Sequence, residues 1–263
     1  MKKYLYIYKS ELMSTIQYVF NILSGFISYF IMIFIFVNLW NYLYDSPSEL
    51  INGYNKSQMI WYVIITELLW MSLNGKRLCD NISKDIKSGN IAYKINKPYN
   101  YIGYVVMNHL GSISIQFVLY LIFGIGLGII FLGNIPSLSI LNILCLLLVF
   151  ILAITINILF TSFVGLFSFY IEDSSPFHWV YTKFLLILGT LFPIEFFPKF
   201  LQPILRFSPI YVINYGPAKL FVSFDYSMFL SIIVSQIIYI FVGIFICSLV
   251  YRRGVKKLNV NGG

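Results

Sequence analysis

The side chains able to do chemistry are few, and most stand inside long apolar runs. Glu67 lies in Ile64-Ile65-Thr66-Glu67-Leu68-Leu69-Trp70. An acid at mid-bilayer depth costs about 2.5–3.5 kcal/mol on insertion scales, so it must face protein or water and have a partner. Two readings follow: a polar element of a substrate path, or a protonated or hydrogen-bonded acid that fixes helix contacts. His109 and His178 are the only histidines. Neither belongs to an H-E-x-x-H set, and both read as interfacial or helix-packing residues rather than proton handlers. Cys79, Cys145 and Cys247 are far apart, form no C-x-x-C and have no His at metal spacing. They read as small hydrophobes. No catalytic set and no metal site is expected.

Nucleotide chemistry is expected to be absent as well. A phosphate-binding loop reads G-x-x-x-x-G-K-[ST], with backbone amides around the phosphates and a Lys reaching them. Asn74-Gly75-Lys76-Arg77 lacks the first glycine and the hydroxyl residue. Gly124, Gly126 and Gly128 lie in an apolar run without a strand-turn-helix context. They read as small residues that let helices approach. Glu172-Asp173, followed by Ser174-Ser175-Pro176, reads as a solvated loop that starts a helix, or as a second contact for a cytoplasmic partner.

The elements that carry these residues follow from composition. Of 263 residues 59% are hydrophobic and only 11% charged, and the mean hydropathy is +0.82. A soluble domain needs a polar exterior that this chain cannot supply, so the solvent is a bilayer. The net charge of +8 sits in short segments between apolar runs, not along one polar face. That pattern points to membrane topology and away from a nucleic-acid partner. The basic start Met1-Lys2-Lys3 is followed by no short apolar core with a cleavage site, so no cleaved signal peptide is expected.

A spanning helix needs about 20 apolar residues. Six such runs lie near 19–43, 58–75, 102–132, 138–168, 180–194 and 228–250. The third and fourth are long enough to tilt or project, and the fifth is short unless it starts inside the preceding loop. The fold class is therefore all-α, one polytopic membrane domain over 1–263. Ahead of the first span, Leu5, Tyr8, Leu12 and Ile16 share one helical stripe, which predicts an interfacial helix over 1–18 or an extension of that span. Lys and Arg set the orientation. With the N-terminus inside, the outside receives only Lys56, Lys199, Arg206 and Lys219. Both termini are then cytoplasmic.

Two connections are more than hairpins. In the basic loop 76–100, Leu78, Ile82 and Ile86 recur every four residues, Gly89 suits a left-handed cap, and Pro98 blocks continuation. A short amphipathic helix near 79–88 is expected, as a docking element or packed on headgroups. The segment 192–222 holds Pro193, Pro198, Pro203, Pro209 and Pro217 among Phe192, Phe196, Phe197, Phe200, Phe207 and Tyr211. Prolines that dense forbid a spanning helix and aromatics that dense disfavour a solvated loop, so short re-entrant helices in the outer leaflet are expected.

These strings resemble the permease subunits of ABC-2 type exporters, in the branch without a large outer domain. The resemblance rests on Ile82-Ser83-Lys84-Asp85-Ile86-Lys87-Ser88-Gly89-Asn90-Ile91-Ala92-Tyr93 with Lys97-Pro98, and on Gly189-Thr190-Leu191-Phe192-Pro193 with Phe197-Pro198 and Ser208-Pro209. The resemblance implies that Ile82 to Asn90 form a coupling helix seated in a separate ATP-binding cassette subunit, which binds the ATP and Mg. It implies pairing with a second permease chain, identical or homologous, and outward transport, with 192–222 as a lid. Richness in Ile, Asn, Lys and Tyr suggests a bacterial plasma membrane as the setting, with lipid as a constant partner. Rival readings are a membrane-embedded enzyme using Glu67 with His109, and an ion-driven secondary transporter, which calls for more intramembrane charge and repeated halves.

Overall fold

In lipid, a chain must satisfy its backbone polar groups internally, and these apolar runs do so as helices. The structure is a computed structural model that describes residues 2–46 and 49–261. Among them the helices are α1 (Lys2–Gln17), α2 (Val19–Leu43), α3 (Lys56–Ser72), α4 (Lys76–Lys87), α5 (Asn90–Ile95) and α6 (Tyr101–Leu132). Then come α7 (Ile140–Leu166), α8 (Ser175–Leu185), α9 (Gln202–Arg206), α10 (Gly216–Val222) and α11 (Tyr226–Asn261). No strand occurs among the described residues, so the all-α expectation holds. Met1 and Gly262–Gly263, the ends of the expected single domain, lie outside them.

Four stretches are long and apolar enough to cross a bilayer: Ile22–Leu43, Tyr101–Leu132, Ile140–Phe169 and Tyr226–Lys257. The chain is a multi-pass membrane protein. The second and fifth expected runs are shorter. Helix α3 has 17 residues. Helix α8 starts inside the preceding loop, at Ser175 with Pro176 in its first turn, and continues through a π-turn at Leu186–Thr190.

Local sequence sets the helix ends. Asn55 and Gln58 form a reciprocal capping box on α3. Asn100 and Ser139 accept from Gly103 N–H and Asn142 N–H to start α6 and α7. Gly133, at φ 76°, ends α6 in the left-handed region.

Helix α3 is the centre of the bundle, buried on nearly every side by α2, α6 and α10. Small residues permit this. A Cβ on Gly128 would fall 2.1 Å from Trp61 Cη2, and one on Gly124 would fall 2.4 Å from the Tyr29 hydroxyl. Gly126 has open space beside it, because i and i+4 share a helix face that i+2 does not.

Helix α1 packs along the first turns of α6. Tyr4 sits on Gly103, and the α1 backbone at Tyr8 lies over Gly111. The Tyr8 hydroxyl donates to Ser114 Oγ at 3.1 Å and Asn108 Nδ2 donates to Glu11 Oε2 at 2.9 Å. The face turned to α6 is thus Tyr4, Tyr8, Glu11 and Thr15, whereas Leu5 and Ile16 of the expected apolar stripe stay exposed. Glycines and polar partners on α6 select that face.

The proline-rich segment is broken into a 3-10 turn (Ile194–Phe196), α9, a π-turn (Tyr211–Tyr215) and α10. Side chains satisfy the carbonyls that irregular backbone leaves free. Tyr62 donates to Gly189 O at 3.2 Å, Thr66 to Thr190 O at 2.9 Å, and Gln236 to Val212 O at 3.0 Å. Asn214 Nδ2 donates to Thr190 Oγ1 at 2.7 Å and ties the two π-turns together.

Candidate functional site

The functional candidates gather at the basic end of the bundle, around α4 and α5. Helix α4 leaves α3 where Gly75 lets the chain press against Thr161 of α7. Its apolar stripe, Leu78, Ile82 and Ile86, is buried, and Ile82 lies against Gly165 of α7. Cys79 lies 3.5 Å from the Ser174 hydroxyl, and burial pushes its thiol above the ordinary value, which keeps it neutral. The stripe therefore belongs to the chain's own core. The helix is longer by three residues at its start than its sequence period suggests, and a second short helix, α5, follows it.

The expected contact residues divide in two. Ile82, Ser83 and Ile86 are buried against the bundle, while Lys84, Lys87, Ser88, Gly89 and Asn90 are exposed. Asp85 turns inward, accepting from Lys94 Nζ at 2.6 Å and from the Tyr101 hydroxyl at 2.9 Å. This half-buried pair clamps α5 back onto α4 and the start of α6. Gly89 adopts φ 74°, with its N–H on Ile86 O at 3.2 Å, so the tip between the helices needs a residue without a Cβ. The result is a projecting tip, Ser88-Gly89-Asn90, beside a basic face of Lys76, Arg77, Lys84 and Lys87.

A cavity of about 500 Å³ opens beside α4 and runs between α3, α7 and α8 as far as Asn214. Asp80, Asp173 and Lys76 line it together with Trp70, Trp179 and Tyr181. Inside it Asn157 bridges Leu73 O, at 3.0 Å, and the Tyr181 hydroxyl, at 2.8 Å. Thr161 Oγ1 and His178 Nε2 are buried without hydrogen-bond partners among the described residues. Asp173 is held below the usual carboxylate range by bonds from the Ser175 N–H and hydroxyl, and these start α8. The acidic step is thus a helix start at the rim of a cavity.

Glu67 is fully buried in α3, and both its oxygens lack a hydrogen-bond partner among the described residues. It does not line this cavity. His109 lies on α6 against a second, polar cavity beside α1, and Glu67 does not line that one either. The two residues of the enzyme reading share neither space.

Sequence reasoning passed over Glu195 in the proline-rich segment. Its carboxyl accepts from the hydroxyls of Tyr54, at 3.0 Å, and Tyr215, at 2.5 Å. Lys219 lies 3.8 Å from the centre of the Tyr54 ring. Asn157, Asn214 and Gln236 were also passed over. Each is a lone polar residue in an apolar run, the same signal that marks Glu67.

Comparison with known proteins bears on this arrangement. No curated protein matches the chain. A family model described as ABC-2 family transporter protein matches residues 26–262, which include the exposed tip, the cavity between α3, α7 and α8, and the proline-rich segment. The chain belongs to the ABC-2 transporter family.

Proposed function

We propose that the chain is the permease subunit of an ATP-binding cassette exporter, moving its substrate outward with ATP and Mg held by a separate subunit. The observation that carries this reading is the division of α4. Its apolar stripe is used up inside the bundle, yet Lys84, Lys87 and the glycine-bent tip are exposed, while Arg77 of the same basic face turns to Glu11 of α1. An element so rigidly seated transmits a push on its tip to α7 and α8, which line the cavity beside it. Closure of the ATP-binding subunits then biases a two-state arrangement of the membrane helices.

In this reading α3, and α8 with its π-turn, complete six crossings, and the basic end with both termini faces the cytoplasm of a bacterial cell. The distribution of Lys and Arg supports that orientation. The broken segment 192–222 forms an outer lid, α1 lies at the inner interface, and a second permease chain, identical or homologous, completes the path. Glu67, fully buried with no hydrogen-bond partner among the described residues, serves that path or fixes helix contacts.

Affinity purification from native membranes tests the proposal. A stoichiometric ATP-binding subunit with ATPase activity, diminished by Gly89→Pro, is the expected result. A chain that purifies alone and without ATPase would overturn it.

A further inference from the structure

The second cavity, about 350 Å³, lies between α1, α4, α5 and the start of α6. Its polar lining includes Arg77, Lys84, Asn81, Asn90, Asn108 and His109. His109 is only 9% exposed, and its Nε2 has no hydrogen-bond partner among the described residues. The two carboxylates in the wall are already engaged. Glu11 accepts from Asn108 at 2.9 Å and faces Arg77 Nη2 at 3.9 Å, and Asp85 is held by Lys94 and Tyr101. Donors and positive charge in the wall therefore exceed acceptors, and a buried imidazole nitrogen lacks a partner.

Depth narrows the class of ligand. Helix α6 has 32 residues, about 48 Å at the usual helical rise, against a hydrocarbon core of about 30 Å. His109 stands in the third turn from its start, so the surplus length sets the pocket at headgroup depth. Exposed Leu5, Tyr6, Met13 and Ile16 on the neighbouring α1 offer a surface for acyl chains. Basic pockets between helices at the cytoplasmic face accept anionic headgroups.

We infer that this pocket is a binding site for a phosphate group of net negative charge, and the depth favours the headgroup of an inner-leaflet anionic phospholipid over free phosphate. The headgroup sits between α1 and the base of the α4–α5 projection, and so braces the element that the proposed function assigns to the ATP-binding subunit. The lipid source rests on the cytoplasmic placement proposed above, whereas the anion chemistry rests on the pocket alone.

The full chain, purified in detergent, is mixed with phosphatidylglycerol, phosphatidylcholine or inorganic phosphate. Bound lipid is counted by native mass spectrometry and thermal stability is followed in parallel, with no ATPase required. Retention of phosphatidylglycerol about tenfold tighter than phosphatidylcholine is expected, because the site rewards net negative charge. Lys84→Glu and Asn81→Asp, both at exposed positions, remove that preference, and Lys199→Glu in the proline-rich segment leaves it intact. Stabilisation by millimolar phosphate without lipid retention, lost in the same variants, would keep the anion site and overturn the lipid source. Equal retention of both lipids, or a preference unchanged by Lys84→Glu and Asn81→Asp, would overturn the site.

Discussion

The basic loop and the proline-rich segment are both irregular, and they are held in opposite ways. The loop is fixed by an apolar stripe on α7 and by the ion pairs of Asp85 with Lys94 and of the more exposed Arg77 with Glu11, while Lys84 and Lys87 stay exposed. The proline-rich segment and the π-turn just before it are fixed by buried side-chain hydrogen bonds, from Tyr62, Thr66 and Gln236 to the broken backbone and from Asn214 to the Thr190 hydroxyl, with Glu195 joining Tyr54 to Tyr215. Water can satisfy spare polar groups at the first site. At the second, low dielectric makes each missing partner costly. Surface changes should therefore be tolerated structurally in the loop and still alter partnership, whereas small polar deletions in the proline-rich segment should disturb the fold.

The largest expected effect is at Glu195. Glu195→Leu removes the acceptor of two tyrosine hydroxyls, and hydrogen bonds to a charged group contribute about 1.5–3 kcal/mol each. Thermal unfolding in detergent should show a clear loss, with the outer tyrosines more accessible to quenchers. A neutral result would mean that water replaces the carboxylate there. Next is Asn214→Leu, which frees Thr190 Oγ1 and unties the two π-turns, at about 1 kcal/mol by the same measurement. Asp85→Asn weakens the clamp on α5 by less, at most about 1 kcal/mol for a pair this close to the surface. Protease sensitivity between Ser88 and Lys97 reads it, and unchanged cleavage would show that the stripe alone holds the projection.

The Lys87→Glu change should leave stability within about 0.5 kcal/mol, since the side chain is exposed and lies outside the polar cavity. Loss of ATP-binding subunit from the purified complex, at unchanged stability, is the signature of a docking face. The smallest effect concerns Asp173, whose carboxyl is held below its ordinary value by bonds from Ser175. A depressed carboxylate stabilises fully above the ordinary carboxylate range and loses that contribution as pH falls through the lowered value. Fraying of the first turn of α8, read by amide exchange, should therefore increase only in strong acid, and Asp173→Asn should abolish that pH dependence.

The loop was the more legible of the two. A period of four at Leu78, Ile82 and Ile86 announces a buried stripe, and Gly89 announces a left-handed cap, because both signals are local. Helix α5 escaped, since six residues are too few to show a period, and Asp85 was expected among the partner contacts because its own partners Lys94 and Tyr101 lie beyond the turn. Long apolar runs gave the principal helices directly. The side of α1 that packs on α6 was not legible, as Gly103 and Gly111 of a distant segment select it. In the proline-rich segment the breaks were legible from prolines. The π-turns and their bonds to residues more than a hundred positions away were not, because no periodicity encodes them. Glu67 stood out by type and depth, and its lack of a hydrogen-bond partner among the described residues became visible only in three dimensions.

The central claim is that the exposed tip of the basic loop meets an ATP-binding subunit. Cross-linking from Ser88→Cys in native membranes tests it most directly, with Phe200→Cys in the proline-rich segment for comparison. The account predicts a cross-link from Ser88→Cys to a protein that binds ATP, and none from Phe200→Cys. A Ser88→Cys chain that captures no such protein, or a Phe200→Cys chain that does, would contradict it.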